Sequence, residues 1–273
     1  MWKTRWYNND MEHCIEILAR RYPQILLPCE KGIKDTEEYK NVCLRGEKCN
    51  RPITFTMDPQ DKLETVKTPA GDVEVLSLYK REDFVHACRC LGNKCEPVDI
   101  PDSTGAMAIF GLNNWDKVRA GLDNYKDSFI ILSSGFYSNV SNDLIYKDSN
   151  GKINLTKEEW IEKSIIIRKY HELTHFVMRK TYPDDIDFIR DELIADCIGL
   201  ICAFNEFNTD LLKLFLGIEG ETYRQGGRLQ NYEGGSEENI PMVLKMIDEL
   251  KEKVKPYENK DANTIWLNIK DLM

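Results

Sequence analysis

The sequence predicts an α+β fold, with a mixed, cysteine-rich N-terminal region over 1–125 and a mainly helical region over 126–273. Strand-like runs fall at 73–79 and 129–132, whereas helical periodicity with start and stop signals fills the last hundred or so residues. Composition agrees: the 273 residues are 42% apolar and 30% charged, the balance of a globular chain long enough to bury a core. A net charge of −9 argues against nucleic acid as a main partner. No apolar run approaches the ~20 residues that span a bilayer, and the N-terminus carries no signal-peptide core. The expectation is a cytoplasmic protein with no membrane partner and with reduced thiols. Nine cysteines against four histidines are the unusual entry.

Along the chain, Asp10 is positioned to cap a first helix with Met11, Cys14, Ile15 and Leu18 on one face, ending before Pro23. From Leu27 to Gly71 the pattern is irregular and punctuated by Pro28, Gly32, Gly46, Pro52, Pro59 and Pro69. Residues 73–79 alternate as a strand, 81–90 suit a short helix, 92–105 a loop and 114–122 a helix. Phe129-Ile130-Ile131-Leu132 reads as a buried strand. Thr156-Lys157-Glu158-Glu159 forms a capping box that opens a long helix closing before Pro183. The Ile165-Ile166-Ile167 run favours strand, but the cap and the long period outweigh it. Asp185 or Asp187 caps a second helix over 188–205. A third runs from Asp210 to Gly217, a glycine-rich loop follows to Gly235, and Ser236 opens a last helix to Val254.

Within the long helix lies His171-Glu172-Leu173-Thr174-His175. Histidines four apart project from one helix face, so two imidazoles reach one metal ion, and the glutamate between them sits where it takes a proton from a coordinated water. An exposed helix face of the same composition is the plain alternative. Against it stands Glu192, seventeen residues past His175, with Asp196 one turn further on the next helix. Ala195, Gly199 and Ala203 form a small-residue stripe there, which allows the close helix approach that a shared ion requires.

The pair of motifs, His171-Glu172-Leu173-Thr174-His175 and Glu192-Leu193-Ile194-Ala195-Asp196, resembles the gluzincin metallopeptidases, of which thermolysin is the familiar member. The resemblance covers roughly residues 156–205. It implies a zincin-like region in which the motif helix lies against a small upstream sheet. It further implies zinc held by His171, His175 and Glu192, with Glu172 as general base and Asp196 orienting a ligand imidazole from behind. The gap between His175 and Glu192 is a few residues shorter than in thermolysin-like enzymes, which leaves Asp191 and Asp187 open as third ligands. The implied reaction is zinc-dependent hydrolysis of a peptide or protein substrate, lying as an added strand along the edge of the upstream sheet. Residues 129–132 are the candidate for that sheet. Tyr223 and Tyr232, in and beyond the loop that reaches Arg228, are candidate oxyanion donors; a solvated loop is their ordinary reading.

Six cysteines fall between residues 29 and 95: Cys29, Cys43, Cys49, Cys88, Cys90 and Cys95. They are candidates for a second metal site, either zinc or an iron–sulfur cluster, with His86 as a further ligand, against the alternative of reduced thiols that bind nothing. Cys14, Cys197 and Cys202 read as core residues. Two other functions stay open: a non-enzymatic metal- or redox-sensing protein that binds a protein partner, and a hydrolase of the same geometry acting on a non-peptide substrate.

Overall fold

The structure, a computed structural model, describes residues 12–185, 187–220, 222–224, 226–232 and 235–273. It is a mixed α/β protein, mostly helical with a small sheet. The first described element is helix α1 (Cys14–Arg21), and the 3-10 turn Pro23–Leu26 follows. The cap of α1 is His13, whose ring accepts from the Ile15 N–H while Glu16 reaches back to the His13 N–H. The expected cap, Asp10, lies with Met11 outside the described residues. Next come the single turn α2 (Glu37–Tyr39), strands β1 (Lys62–Thr68) and β2 (Gly71–Leu78), and helix α3 (Arg81–Ala87). Strand β3 (Ala106–Asn113), helix α4 (Trp115–Arg119) and strand β4 (Lys126–Ser133) complete the first part.

The strands form one sheet in the order β1-β2-β4-β3, with β2 and β4 parallel and both outer pairs antiparallel. The sheet therefore bridges residues 125 and 126, because β4 lies between β2 and β3. Residues 129–132 lie in the sheet as the expected buried strand, in a central position. The free edge on that side belongs to β3, in a stretch that the sequence does not mark as a strand.

Both faces of the central strands are covered, which accounts for the unbroken apolar run of β4. Side chains alternate across the sheet. Val73, Val75, Ile130 and Leu132 join the core of the helical layer, while Leu76, Leu78, Phe129 and Ile131 join a second core with α1 and the cysteine-rich segments. The sheet thus separates two hydrophobic cores.

The helical layer consists of α5 (Asn142–Asp148), α6 (Lys157–Thr181), α7 (Phe188–Phe204), α8 (Thr209–Leu216), α9 (Ile240–Val254) and α10 (Ala262–Leu267). The short hairpin β5 (Ile218–Glu219) and β6 (Thr222–Tyr223) lies between α8 and α9. Thr156 and Glu159 form the expected capping box of α6, and Asp187, not Asp185, caps α7 by accepting from the Arg190 N–H. Ser236 opens a 3-10 turn, Glu237–Asn239, and α9 itself begins at Ile240 with Pro241 in its first turn. The terminal helix α10 has no counterpart in the sequence reading. It docks on α6 through Trp266, whose indole N–H donates to Thr174 at 3.0 Å. Among the described residues no helix is long and apolar enough to cross a membrane.

Candidate metal centre

Helices α6 and α7 run antiparallel in close contact. A Cβ on Gly199 would lie 2.7 Å from the Ile167 carbonyl oxygen, so only glycine admits this approach. That contact, two turns along α7 from Glu192, seats the Glu192 carboxylate opposite the two histidines of α6. His171 Nε2 and His175 Nε2 are 3.1 Å apart. Glu192 Oε1 is 3.2 Å from His175 Nε2, and Glu192 Oε2 is 3.4 Å from His171 Nε2. The three donors lie within 4.8 Å of one another, with both histidines buried.

These spacings fit a metal ion. Nitrogen and oxygen donors 2.0–2.1 Å from a common centre at tetrahedral angles stand about 3.3 Å apart. Proton bookkeeping agrees. His171 Nδ1 lies 2.7 Å from Asp196 Oδ1, so its N–H is committed there and Nε2 presents a lone pair to His175 and Glu192. Acceptors facing one another at this range call for a shared cation. Without one, the site takes up protons. Burial disfavours a charged His171, yet the Asp196 and Glu192 carboxylates more than offset it and raise its pKa to about 9. Burial likewise works against ionised Glu192, but its contacts to His171 and His175 prevail and push its pKa far down.

Behind the triad, Asp196 is fully buried, and its Oδ1 collects hydrogen bonds from His171, from the Tyr137 hydroxyl at 2.5 Å and from Arg228 at 3.1 Å. Arg228 also reaches Glu192 Oε2 at 3.4 Å, and its guanidinium lies over the rings of Tyr137 and Tyr232. Tyr137 is itself held by α6, its backbone N–H donating to Ser164 Oγ at 3.0 Å. Neither Tyr137 nor the Asp196 contact of Arg228 is visible in the sequence. Tyr137 sits in a 3-10 turn whose next two residues, Ser138 and Asn139, have positive φ, and no motif marks that turn.

Glu172 lies beside the triad and lines an open cleft with His171, Arg168, Arg228, Tyr137 and the Gly105–Ala106 end of β3. Arg168 is buried and anchored by the carbonyls of Ser133, Gly135 and Phe136, and burial lowers its pKa to about 10. Arg81 fixes the loop before β3 through the carbonyls of Ile100, Pro101 and Thr104. The cleft thus runs from the motif helix to the exposed sheet edge.

The other sequence candidates fall as follows. Asp187 is spent as the cap of α7, and Asp191 is half-buried outside the triad, so Glu192 is the carboxylate that meets the histidines. Tyr232 is half-buried beside Arg228 and Glu192, and burial of its hydroxyl raises its pKa. Tyr223 is not brought to the centre: it pairs with Ile218 in the small hairpin and packs on the helical core. Of the six N-terminal cysteines, Cys29 and Cys90 converge with His86 on one point. Cys88 packs in the second core and Cys95 donates to the Gln24 carbonyl at 3.6 Å. Cys49 is buried and Cys43 half-buried in the same core, apart from the convergent trio.

A family of unknown function, DUF7005, has a sequence profile that matches residues 1–124 and 120–269. The chain belongs to that family. Comparisons with curated proteins and with solved structures gave no match. The match extends over both layers, so the family takes in the whole sheet and both cysteine- and histidine-bearing regions.

Proposed function

We propose that the protein is a zinc-dependent hydrolase of peptide bonds. The observation that carries this reading is the convergence of His171, His175 and Glu192 at tetrahedral spacing, with Glu172 beside them at the wall of a cleft. Two imidazoles and one carboxylate suit Zn²⁺ and leave a fourth position free. When bound, the ion supplies Lewis acidity, which acidifies water and polarises a carbonyl.

The chain's own groups do the rest. Glu172 is the general base: it takes the proton of the attacking water and returns it to the leaving amine. Asp196 keeps the His171 ring in the tautomer and orientation that a ligand needs. Arg228 balances the charge of Asp196 and Glu192, and the Tyr137 hydroxyl donates a further hydrogen bond to Asp196 Oδ1. An extended substrate adds to the free edge of β3, whose first residues border the cleft, and its backbone pairs there as an extra strand. Free thiols at all nine cysteines support a cytoplasmic setting.

The test is a library of mixed-sequence extended peptides incubated with the zinc-loaded protein and with Glu172→Gln. The expected result is cleavage by the wild type and a loss of about 10²–10⁴-fold in the variant, with zinc content unchanged. Equal cleavage by both proteins would overturn the role of Glu172. No cleavage of any peptide by a zinc-loaded wild type would overturn the substrate class.

A further inference from the structure

The second core contains a smaller convergence of donors that the proposed hydrolysis does not use. Cys29 lies just past the 3-10 turn Pro23–Leu26, His86 is on the last turn of α3, and Cys90 is in the π-helical turn Cys88–Gly92 that continues α3. Cys29 Sγ is 3.7 Å from Cys90 Sγ and 3.4 Å from His86 Nδ1. Cys90 Sγ is 3.5 Å from His86 Nε2, and the three donor atoms lie within 4.8 Å of one another. Both cysteines are free thiols.

Two of the spacings, sulfur to sulfur and Cys29 to Nδ1, match donors to one ion. Two sulfurs 2.3 Å from a centre at tetrahedral angles stand about 3.8 Å apart, and a sulfur and an imidazole nitrogen about 3.6 Å. The imidazole is oriented as metal-binding histidines are: Nε2 lies 3.0 Å from the Ile25 carbonyl and donates to it, which leaves the Nδ1 lone pair facing Cys29. The backbone is built around the cluster. A π-turn, a local departure that concentrates at functional sites, sets the position of Cys90. The chain then reverses through Lys94 and Cys95, both at positive φ, and the Cys95 N–H closes on the Arg89 carbonyl at 2.8 Å. That reversal directs the Cys95 thiol to the carbonyls of Gln24 at 3.6 Å and Cys90 at 3.8 Å.

We infer that Cys29, His86 Nδ1 and Cys90 form a second metal site, for a thiophilic d¹⁰ cation of the Zn²⁺ class. Two thiolates and an imidazole exclude the oxygen-seeking Mg²⁺ and Ca²⁺ and leave one position for water or a small ligand. Cys90 is buried, while Cys29 and His86 are half-buried, so that position opens toward solvent. The convergent donor group, two cysteines and one histidine, falls short of the four cysteines that hold an ordinary iron–sulfur cluster.

The triad contains no sulfur, so the two sites have different spectra. The probe is Co²⁺, titrated without oxygen into the reduced full-length protein. The inference predicts a thiolate-to-cobalt charge-transfer band in the wild type, its loss in Cys29→Ser, and its retention in Cys43→Ser and in His175→Ala. The last variant separates this inference from the proposed hydrolase, whose centre it disables. Absence of the band in the wild type would overturn the inference, which makes the test independent of how the variants fold. So would a band that survives Cys29→Ser, or recovery of the reduced preparation with Cys29 and Cys90 joined as a disulfide.

Discussion

The two donor clusters lie on opposite faces of one sheet and are built by opposite means. The His171–His175–Glu192 centre stands on two long helices locked by a glycine contact, and behind it stand the charged Asp196 and Arg228 with the Tyr137 hydroxyl. The Cys29–His86–Cys90 cluster stands on a loop end, a helix end and a π-turn, and its supporting groups are neutral carbonyls of Ile25 and Leu27. Only the first borders a cleft with an additional carboxylate, Glu172, in reach. The contrast teaches what each arrangement is suited to. Rigid helices, a charged support and a spare base suit chemistry on a substrate, whereas thiolates braced by local turns suit retention of an ion.

The sharpest break between the two clusters is expected at Glu172. Glu172→Gln should remove about 10²–10⁴-fold of peptide turnover, followed in a peptide cleavage assay, while the cobalt–thiolate band of the other cluster stays unchanged. Next in size is Gly199→Val. Its new side chain meets the Ile167 carbonyl, so the helix pair must separate at a cost of about 1–3 kcal/mol. Thermal unfolding would register the loss, and zinc affinity of the triad should fall with it. Asp196→Asn keeps the shape but weakens the support of His171. It is expected to lower zinc affinity or turnover by about 10–100-fold, measured by competition with a chelator. The smallest effect belongs to Cys29→Ser, across the sheet from the triad. Peptide turnover in that variant should stay within about twofold of wild type, and a larger loss would mean that the clusters are coupled.

Legibility in the sequence followed the same division. The capping box at Thr156, the two histidines one turn apart and the small stripe of α7 are local signals, and each was readable because helix geometry turns spacing directly into position. Glu192 was readable for the same reason. The edge strands were not. β1 reads Lys-Leu-Glu-Thr-Val-Lys-Thr and has no fully buried residue, and β3 is broken by an irregularity between Phe110 and Leu112. Neither presents the buried alternation that marks β2. Without β3 the sequence leaves the neighbours of β4 undefined, because nothing local tells a central strand which strand covers it. Tyr137 and Arg228 come from turns far from the motif in sequence, and only the tertiary fold brings them to Asp196.

The cysteines show the converse error. Closeness in sequence suggested a group of six, but Cys88 and Cys90 diverge within one π-turn. Cys90 instead meets Cys29, which no periodicity connects to it.

The central claim is that His171, His175 and Glu192 hold a zinc ion of their own, apart from the cysteines. Zinc bound per chain, measured on the wild type, on His175→Ala, on Cys29→Ser and on the double variant, tests it most directly. The account predicts two ions, one, one and none. A wild type that binds no zinc, or a His175→Ala protein that binds as much as the wild type, would contradict it.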